Sequence, residues 1–113
     1  MKIDTHVRML AGPLGITKGE VNGQPFLYAT WNHYLLLHLA GDEVSDFLEV
    51  ASIIDEDTER GGYHEIMVVR DKEDGRFVVT VGERIAGVLG YQAIKCIEEV
   101  CNGSARQVSP LDL

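Results

Sequence analysis

Long hydrophobic runs are absent from this 113-residue sequence, and their absence excludes one class of protein. The longest apolar stretch, Leu35 to Ala40, is interrupted by His38 and is far shorter than the roughly 20 residues that a membrane-spanning helix needs. The first residues, Met1 to Asp4, turn polar at once and do not form the apolar segment of a signal peptide. We therefore expect a cytoplasmic protein with no membrane contact.

Cysteine is also scarce, since the chain has only Cys96 and Cys101. The two lie five positions apart near the end of a predicted helix, and a regular helix cannot bring such a pair into disulfide geometry. A zinc site would need gaps of two to four residues and a second pair of ligands. The sequence predicts two buried free thiols, no metal site and no cofactor.

Positive charge is in short supply, with 10 Lys and Arg against 18 Asp and Glu and a net charge of −8. From position 42 to position 59 no basic residue occurs, and this acidic segment repels phosphate backbones and attracts basic proteins. The alternative is a solvated face that keeps the protein soluble. We expect no nucleic-acid partner. The candidate partner-binding residues are Glu43, Asp46, Glu49, Asp55, Glu56, Asp57 and Glu59.

What is present is a globular composition, 45% hydrophobic and 25% charged, in a chain that predicts one domain over residues 1–113. Polar and apolar residues alternate from Lys2 to Leu10, which predicts a half-buried strand. Two further runs, Ile16 to Val21 and Gln24 to Thr30, flank Asn22-Gly23, a dipeptide typical of a two-residue hairpin. The segment from Trp31 to Ala40 fits either a strand or a short helix.

The second half of the sequence predicts a helix, a hairpin and another helix. Asp42 begins a helix with apolar residues at helical spacing, and the strands Tyr63 to Arg70 and Arg76 to Val81 follow. Glu83 to Cys101 is predicted as the second helix, and 105–113 as a polar tail or short edge strand. No internal repeat is evident. The predicted fold is α+β: an antiparallel sheet built from two hairpins plus an N-terminal strand, with two helices packed on one face.

One stretch, Phe26 to His38, combines the single tryptophan with two of the four tyrosines and two of the four histidines. His33 and His38 cannot bind one metal ion from a regular element, because five residues separate them onto opposite faces of a strand or about 140° around a helix. Their leucine neighbours are typical of core histidines, and the alternative is a general base or a ligand-stacking group. The candidate ligand-binding residues are Tyr28, Trp31, His33, Tyr34 and His38.

Two partial family resemblances involve the second half of the chain. Arg84 to Ile97, with Gly87 and Gly90, resembles the GxxG loop between two helices of a KH domain, although the loop centre is Val-Leu where KH domains favour basic residues. From Ala40 to Gly90 the order of elements is also similar to that of the coupling (effector) proteins of bacterial multicomponent diiron monooxygenases. That resemblance implies docking on a hydroxylase subunit without catalysis by the chain itself.

These observations favour a small, acidic, non-catalytic binding or regulatory module that acts through protein–protein contacts, as a homodimer and with a basic protein partner. The alternative is a small-ligand-binding protein or small enzyme with a pocket lined by Tyr28, Trp31, His33 and Tyr34. A coupling protein of an oxygenase is a lesser alternative. No residue is assigned a catalytic role.

Overall fold

A computed structural model of the chain describes residues 1–103, so the predicted tail or edge strand at 105–113 lies outside the described residues. Within the described residues the chain forms eight strands and two helices. The strands are β1 (Ile3–Ala11), β2 (Leu14–Val21), β3 (Gln24–Trp31), β4 (Tyr34–Ala40), β5 (Arg60–Tyr63), β6 (Ile66–Arg70), β7 (Phe77–Val81) and β8 (Arg84–Leu89). The helices are α1 (Asp42–Ile53) and α2 (Tyr91–Cys101).

All eight strands join one antiparallel sheet in the order β1-β2-β3-β4-β8-β7-β6-β5, which confirms the α+β fold class. The two helices pack on one face of the sheet and bury their apolar sides there. Phe47 and Ile97, at the centres of α1 and α2, are fully buried, as helical spacing of the apolar residues requires. No helix within residues 1–103 is both long and apolar enough to cross a bilayer.

The sheet is an internal duplication that the sequence analysis did not detect. Each half is a four-stranded meander followed by a helix, and the reversed strand order of the second half relates the halves by an approximate two-fold rotation. The register of β3 with β4 shifts after Ala29, and the register of β7 with β8 shifts after Val79, fifty positions later. The halves join where Leu37 of β4 pairs with Gly87 of β8.

The ambiguous segment 31–40 is a strand preceded by a tight turn. Asn32 and His33 have φ angles of 49° and 73°, the positive values that a two-residue hairpin turn requires at both central positions. Trp31 is therefore the last residue of β3 and pairs with Tyr34, the first residue of β4, across this turn. Asparagine is common at the first central position of such a turn, but His33 stands where the typical hairpin dipeptide has glycine, so the turn signal is weaker than at Asn22-Gly23.

The predicted helix over Glu83 to Cys101 is wrong in its first part. Arg84–Leu89 is strand β8, and α2 begins only at Tyr91, after the extended residue Gly90. Pairing with β7 on one side and β4 on the other supplies the backbone hydrogen bonds of this segment. The likeness to a KH domain fails for the same reason, because Gly87 lies in a strand and not in a loop between two helices.

The face of the sheet turned away from the helices, here called the open sheet face, carries exposed apolar side chains among polar ones such as Arg8, Thr17 and His38. Among the eight strands of residues 1–103 only Asp4 and Glu20 are acidic. They pair with each other, and the alternation of side chains along the strands places both on the helix side of the sheet. Leu35 and Ile85, which hold corresponding places in the two halves, are 63% and 66% exposed. The other large exposed apolar side chains of this face are Ile3, Leu10, Tyr28, Met67 and Val69.

Candidate functional site

A cavity of about 580 Å³ lies where β3 and β8 end and α2 begins. Its size falls within the roughly 300–1,000 Å³ of small-molecule sites in proteins. Trp31 forms one wall and remains 47% exposed, although it is one of the largest apolar side chains of the chain. The apolar lining residues are Trp31, Leu36, Val88, Leu89, Tyr91 and Ala93.

Polar groups of the cavity come from two loops and from the first turn of α2. Glu56 lies in the loop after α1, Arg76 precedes β7, and Gln92 belongs to the helix. The first backbone N–H groups of α2 have no acceptor within the helix, whose earliest i to i−4 bond is donated by Ile94. Among the described residues no side chain caps this helix and no acidic residue occupies its first turn. Of the polar side chains in the lining, Arg76 is positive and Glu56 is negative.

Arg70 fixes both loops that border the cavity. Its guanidinium donates to the carbonyl oxygens of Glu56 at 2.7 Å, Thr58 at 3.0 Å and Gly75 at 3.1 Å. The same group lies 4.3 Å from the centre of the Phe77 ring, within range of a cation–π interaction. One half-buried side chain thus ties the α1–β5 loop to the β6–β7 loop.

The duplication places a second crevice, of about 370 Å³, at the corresponding position beside α1. Val81 stands there where the cavity has Trp31, and the lining is acidic rather than apolar. Glu43 Oε1 accepts hydrogen bonds from the Ala40 N–H at 3.0 Å and from Arg84 Nη2 at 2.9 Å. The carboxylates of Asp42, Glu43, Asp46 and Glu65 complete this wall. The two crevices therefore share a position in the fold but differ in chemistry.

The environment of Glu43 lowers the pKa of its carboxyl group. Burial alone would raise the pKa, but the hydrogen bond from Arg84, the Ala40 N–H and the positive charge of Arg84 together outweigh it. A pKa lowered by folding contributes stability above the ordinary pKa of Glu, and this stability is lost as the pH falls through the lowered value.

Replacing Arg84 with Met should lower the free energy of unfolding by about 0.5–1 kcal/mol at neutral pH, the size of a partly exposed ion pair. The loss should shrink as the pH falls and Glu43 becomes protonated. Urea unfolding at neutral pH and near pH 3 measures both values, and Arg60→Met is the control for loss of an exposed arginine. An equal loss at the two pH values would contradict the role assigned to the Glu43 carboxylate.

The five candidate ligand-binding residues lie in three different places. Trp31 lines the cavity, Tyr28 and His38 pair across β3 and β4 on the open sheet face, and His33 and Tyr34 belong to the exposed turn. The expectation that the histidines are core residues is wrong, because both are exposed. His33 lies in the exposed turn, and the alternation of β4 places His38 on the open sheet face.

His6 and His64 do not approach the aromatic stretch. His6 Nε2 lies 3.0 Å from Glu20 Oε2, and His64 Nδ1 lies 3.2 Å from Asp46 Oδ2. Each of these two histidines thus lies beside a carboxylate. Within residues 1–103 no group of three or more histidine, cysteine or carboxylate side chains is arranged to hold a metal ion.

The candidate partner-binding acids divide into partnered and exposed residues. Glu43 and Asp46 form ion pairs, whereas Glu49 and the carboxylates of the loop at 55–59 lie exposed on the helix side. Asp55 is part of the loop structure, because its Oδ1 accepts hydrogen bonds from the Asp57 N–H and the Thr58 hydroxyl, each at 2.9 Å. The hydrogen bond from the Thr58 hydroxyl is the main cause of a lowered pKa of the Asp55 carboxyl group.

Cys96 and Cys101 are free thiols on α2, both half-buried. Burial raises the pKa of the Cys101 thiol to about 11, and burial together with Glu99 raises the pKa of Cys96. Both thiols are therefore protonated near neutral pH and are weak nucleophiles.

Sequence reasoning missed every lining residue of the cavity except Trp31 and Glu56, and assigned Glu56 to a different surface. Leu36 enters the lining through a register shift of β4, and Tyr91, Gln92 and Ala93 through the true start of α2. The signal that could have located α2 is Gly90, since glycine between an apolar strand and an apolar helical pattern is a common boundary.

The fold and the cavity together define the class of this protein: a small α+β domain built from two ββββα halves, with an aromatic-walled cavity beside one helix. Comparison with protein-family models, with curated proteins and with solved structures found no match to this chain. The chemistry of its own residues therefore carries the functional argument.

Proposed function

We propose that this protein is a non-catalytic cytoplasmic binding module that forms a homodimer through its open sheet face. The observation that carries the proposal is the set of exposed apolar side chains on that face, whose strands place no carboxylate there although the chain has a net charge of −8. An antiparallel sheet with one side in solvent normally carries polar residues there, and a large exposed apolar patch usually marks an interaction site. The protonated thiols and the separated histidines give further support to a non-catalytic role.

A second copy of the chain is the partner that fits this face. Eight strands about 4.8 Å apart span about 34 Å, and five or more residues at about 3.3 Å give about 17 Å along the strands. The area, on the order of 600 Å² in projection, compares with the roughly 800 Å² that each partner buries in a standard interface. Because the face carries no carboxylate within residues 1–103, two acidic molecules can meet there without bringing their negative charges together.

Introducing a carboxylate on the open sheet face should prevent the association. Tyr28→Glu and Met67→Glu each place two like charges in the proposed dimer, and we expect the dimer dissociation constant to rise about a hundredfold or more. Both parent side chains are 36% exposed, so the monomer should still fold. Ser52→Glu, on the exposed side of α1, adds the same charge elsewhere and should leave the dimer intact.

Sedimentation equilibrium measures the result. The parent chain and Ser52→Glu should sediment at twice the 12.5 kDa chain mass, and the two face variants at the chain mass itself. A parent chain that stays monomeric at about 100 μM, or face variants that dimerise as well as the parent, would contradict the proposal.

In such a dimer the acidic helix sides point outward, where Glu49, Asp57 and Glu59 are available to a basic protein. Electrostatic attraction to this side should weaken as ionic strength rises, because exposed charges are screened over about 8 Å at physiological salt. The resemblance to oxygenase coupling proteins is compatible with this proposal, since such proteins dock and do not catalyse. If the affinity for a basic partner did not change with salt concentration, the proposed electrostatic attraction to this acidic side would be refuted.

A further inference from the structure

The geometry of the Trp31 cavity points to a binding site for a planar aromatic small molecule of about two fused rings. The site lies beside α2 and is additional to the dimer proposed above. It is assembled from both halves of the duplication, with Trp31 and Leu36 from the first half and Val88, Tyr91 and Ala93 from the second. All five of these side chains are half-buried or exposed.

The size and lining of the cavity decide the ligand class. A volume of about 580 Å³ exceeds what one water or one ion needs and accommodates a molecule of ten to twenty non-hydrogen atoms. The indole of Trp31 offers a flat apolar surface, and aromatic rings that stack gain free energy beyond the burial of area. A flat ring system can stack on the indole and contact the apolar side chains of Leu36 and Val88, which also line the cavity.

The corresponding crevice beside α1 shows that the cavity is not a necessary result of the fold. There Val81 replaces Trp31, and the ion pair between Glu43 and Arg84 together with neighbouring carboxylates occupies the wall. Beside α2 the same position in the fold instead carries an exposed tryptophan and an apolar surface. The two crevices thus differ in the residues that would contact a ligand, acidic beside α1 and apolar beside α2.

Saturation-transfer NMR with 2-naphthol as the probe tests the inference. We expect transfer to the naphthol ring with the parent chain and a competition-derived dissociation constant. Trp31→Ala should raise that constant about tenfold, the factor that corresponds to 1.4 kcal/mol of lost stacking and burial. Ala93→Phe, which retains Trp31 and fills the cavity from α2, should raise it about tenfold or more. Circular dichroism verifies that each variant is folded.

Tyr63→Ala is the matched control, because Tyr63 is an aromatic side chain of similar exposure, 43%, that does not line the cavity. This variant should bind the naphthol as the parent chain does, within about twofold. No saturation transfer with the parent chain would overturn the inference, as would binding that Tyr63→Ala weakens as much as Trp31→Ala does. Unchanged binding by Ala93→Phe would also overturn it, even if Trp31→Ala fails to fold.

Discussion

Replacing Gly87 with Ala should cost about 3 kcal/mol or more of unfolding free energy, a large part of the 5–15 kcal/mol that stabilises most domains. A methyl group on Gly87 would lie 2.9 Å from the Cα of Leu37 and closer still to the Leu36 carbonyl oxygen. Both obstacles are backbone, so neither can rotate away. The pair Leu37 and Gly87 is also where β4 meets β8, and moving it separates the two halves of the sheet.

Gly90→Ala is the matched control, three residues further along the chain. No atom lies within 4 Å of a methyl group built there, among the residues that the structure describes, and its φ angle of −78° suits any residue. We expect an unchanged or slightly raised stability, because alanine restricts the unfolded chain more than glycine does. Urea unfolding of the two variants gives the comparison, and equal stabilities would show that the strands at Gly87 can move apart at little cost.

The strand that contains Gly87 marks the limit of what the sequence predicts about the fold. Fold class, the N-terminal strand, the hairpin at Asn22-Gly23 and the helix after Gly41 all follow from local signals, namely alternation, turn chemistry and helical spacing. The strand nature of Arg84–Leu89 does not. Its apolar residues fit a helix as well, and the choice depends on pairing with β4 and β7, partners far away in sequence.

The cavity depends even more on distant contacts. Trp31 was identifiable as a candidate because a lone tryptophan among apolar residues is conspicuous, but its partners enter from the other half of the chain. The duplication that brings them together leaves few identities in the sequence, Thr30 with Thr80 and Leu39 with Leu89 being two. Buried positions recur at the same spacing, as Phe47 and Ile97 show, because packing constrains size and polarity and not identity.

Replacing Arg70 with Met should lower the free energy of unfolding by about 2–3 kcal/mol, and this exchange keeps the aliphatic stem. A hydrogen bond from a charged group contributes about 1.5–3 kcal/mol, but of the three bonds lost only the one to Thr58 is part-buried, and the two exposed bonds contribute less. The three carbonyl oxygens of Glu56, Thr58 and Gly75 would lose their donor, and Phe77 would lose the guanidinium above its ring. Both loops beside the cavity should then open. Hydrogen exchange should accelerate at residues 55–59 and 71–76.

Arg70→Lys separates charge from geometry. A lysine ammonium keeps the positive charge near Phe77, but it cannot reach three carbonyl oxygens with the planar fork of a guanidinium, so it should recover less than half of the loss. Arg76→Met is the control in the adjacent loop, where the guanidinium forms an exposed ion pair with Asp74 and its removal should cost no more than about 0.5 kcal/mol. If Arg70→Lys matched the parent chain in urea, charge alone would hold these loops, and the hydrogen bonds to Glu56, Thr58 and Gly75 would contribute little.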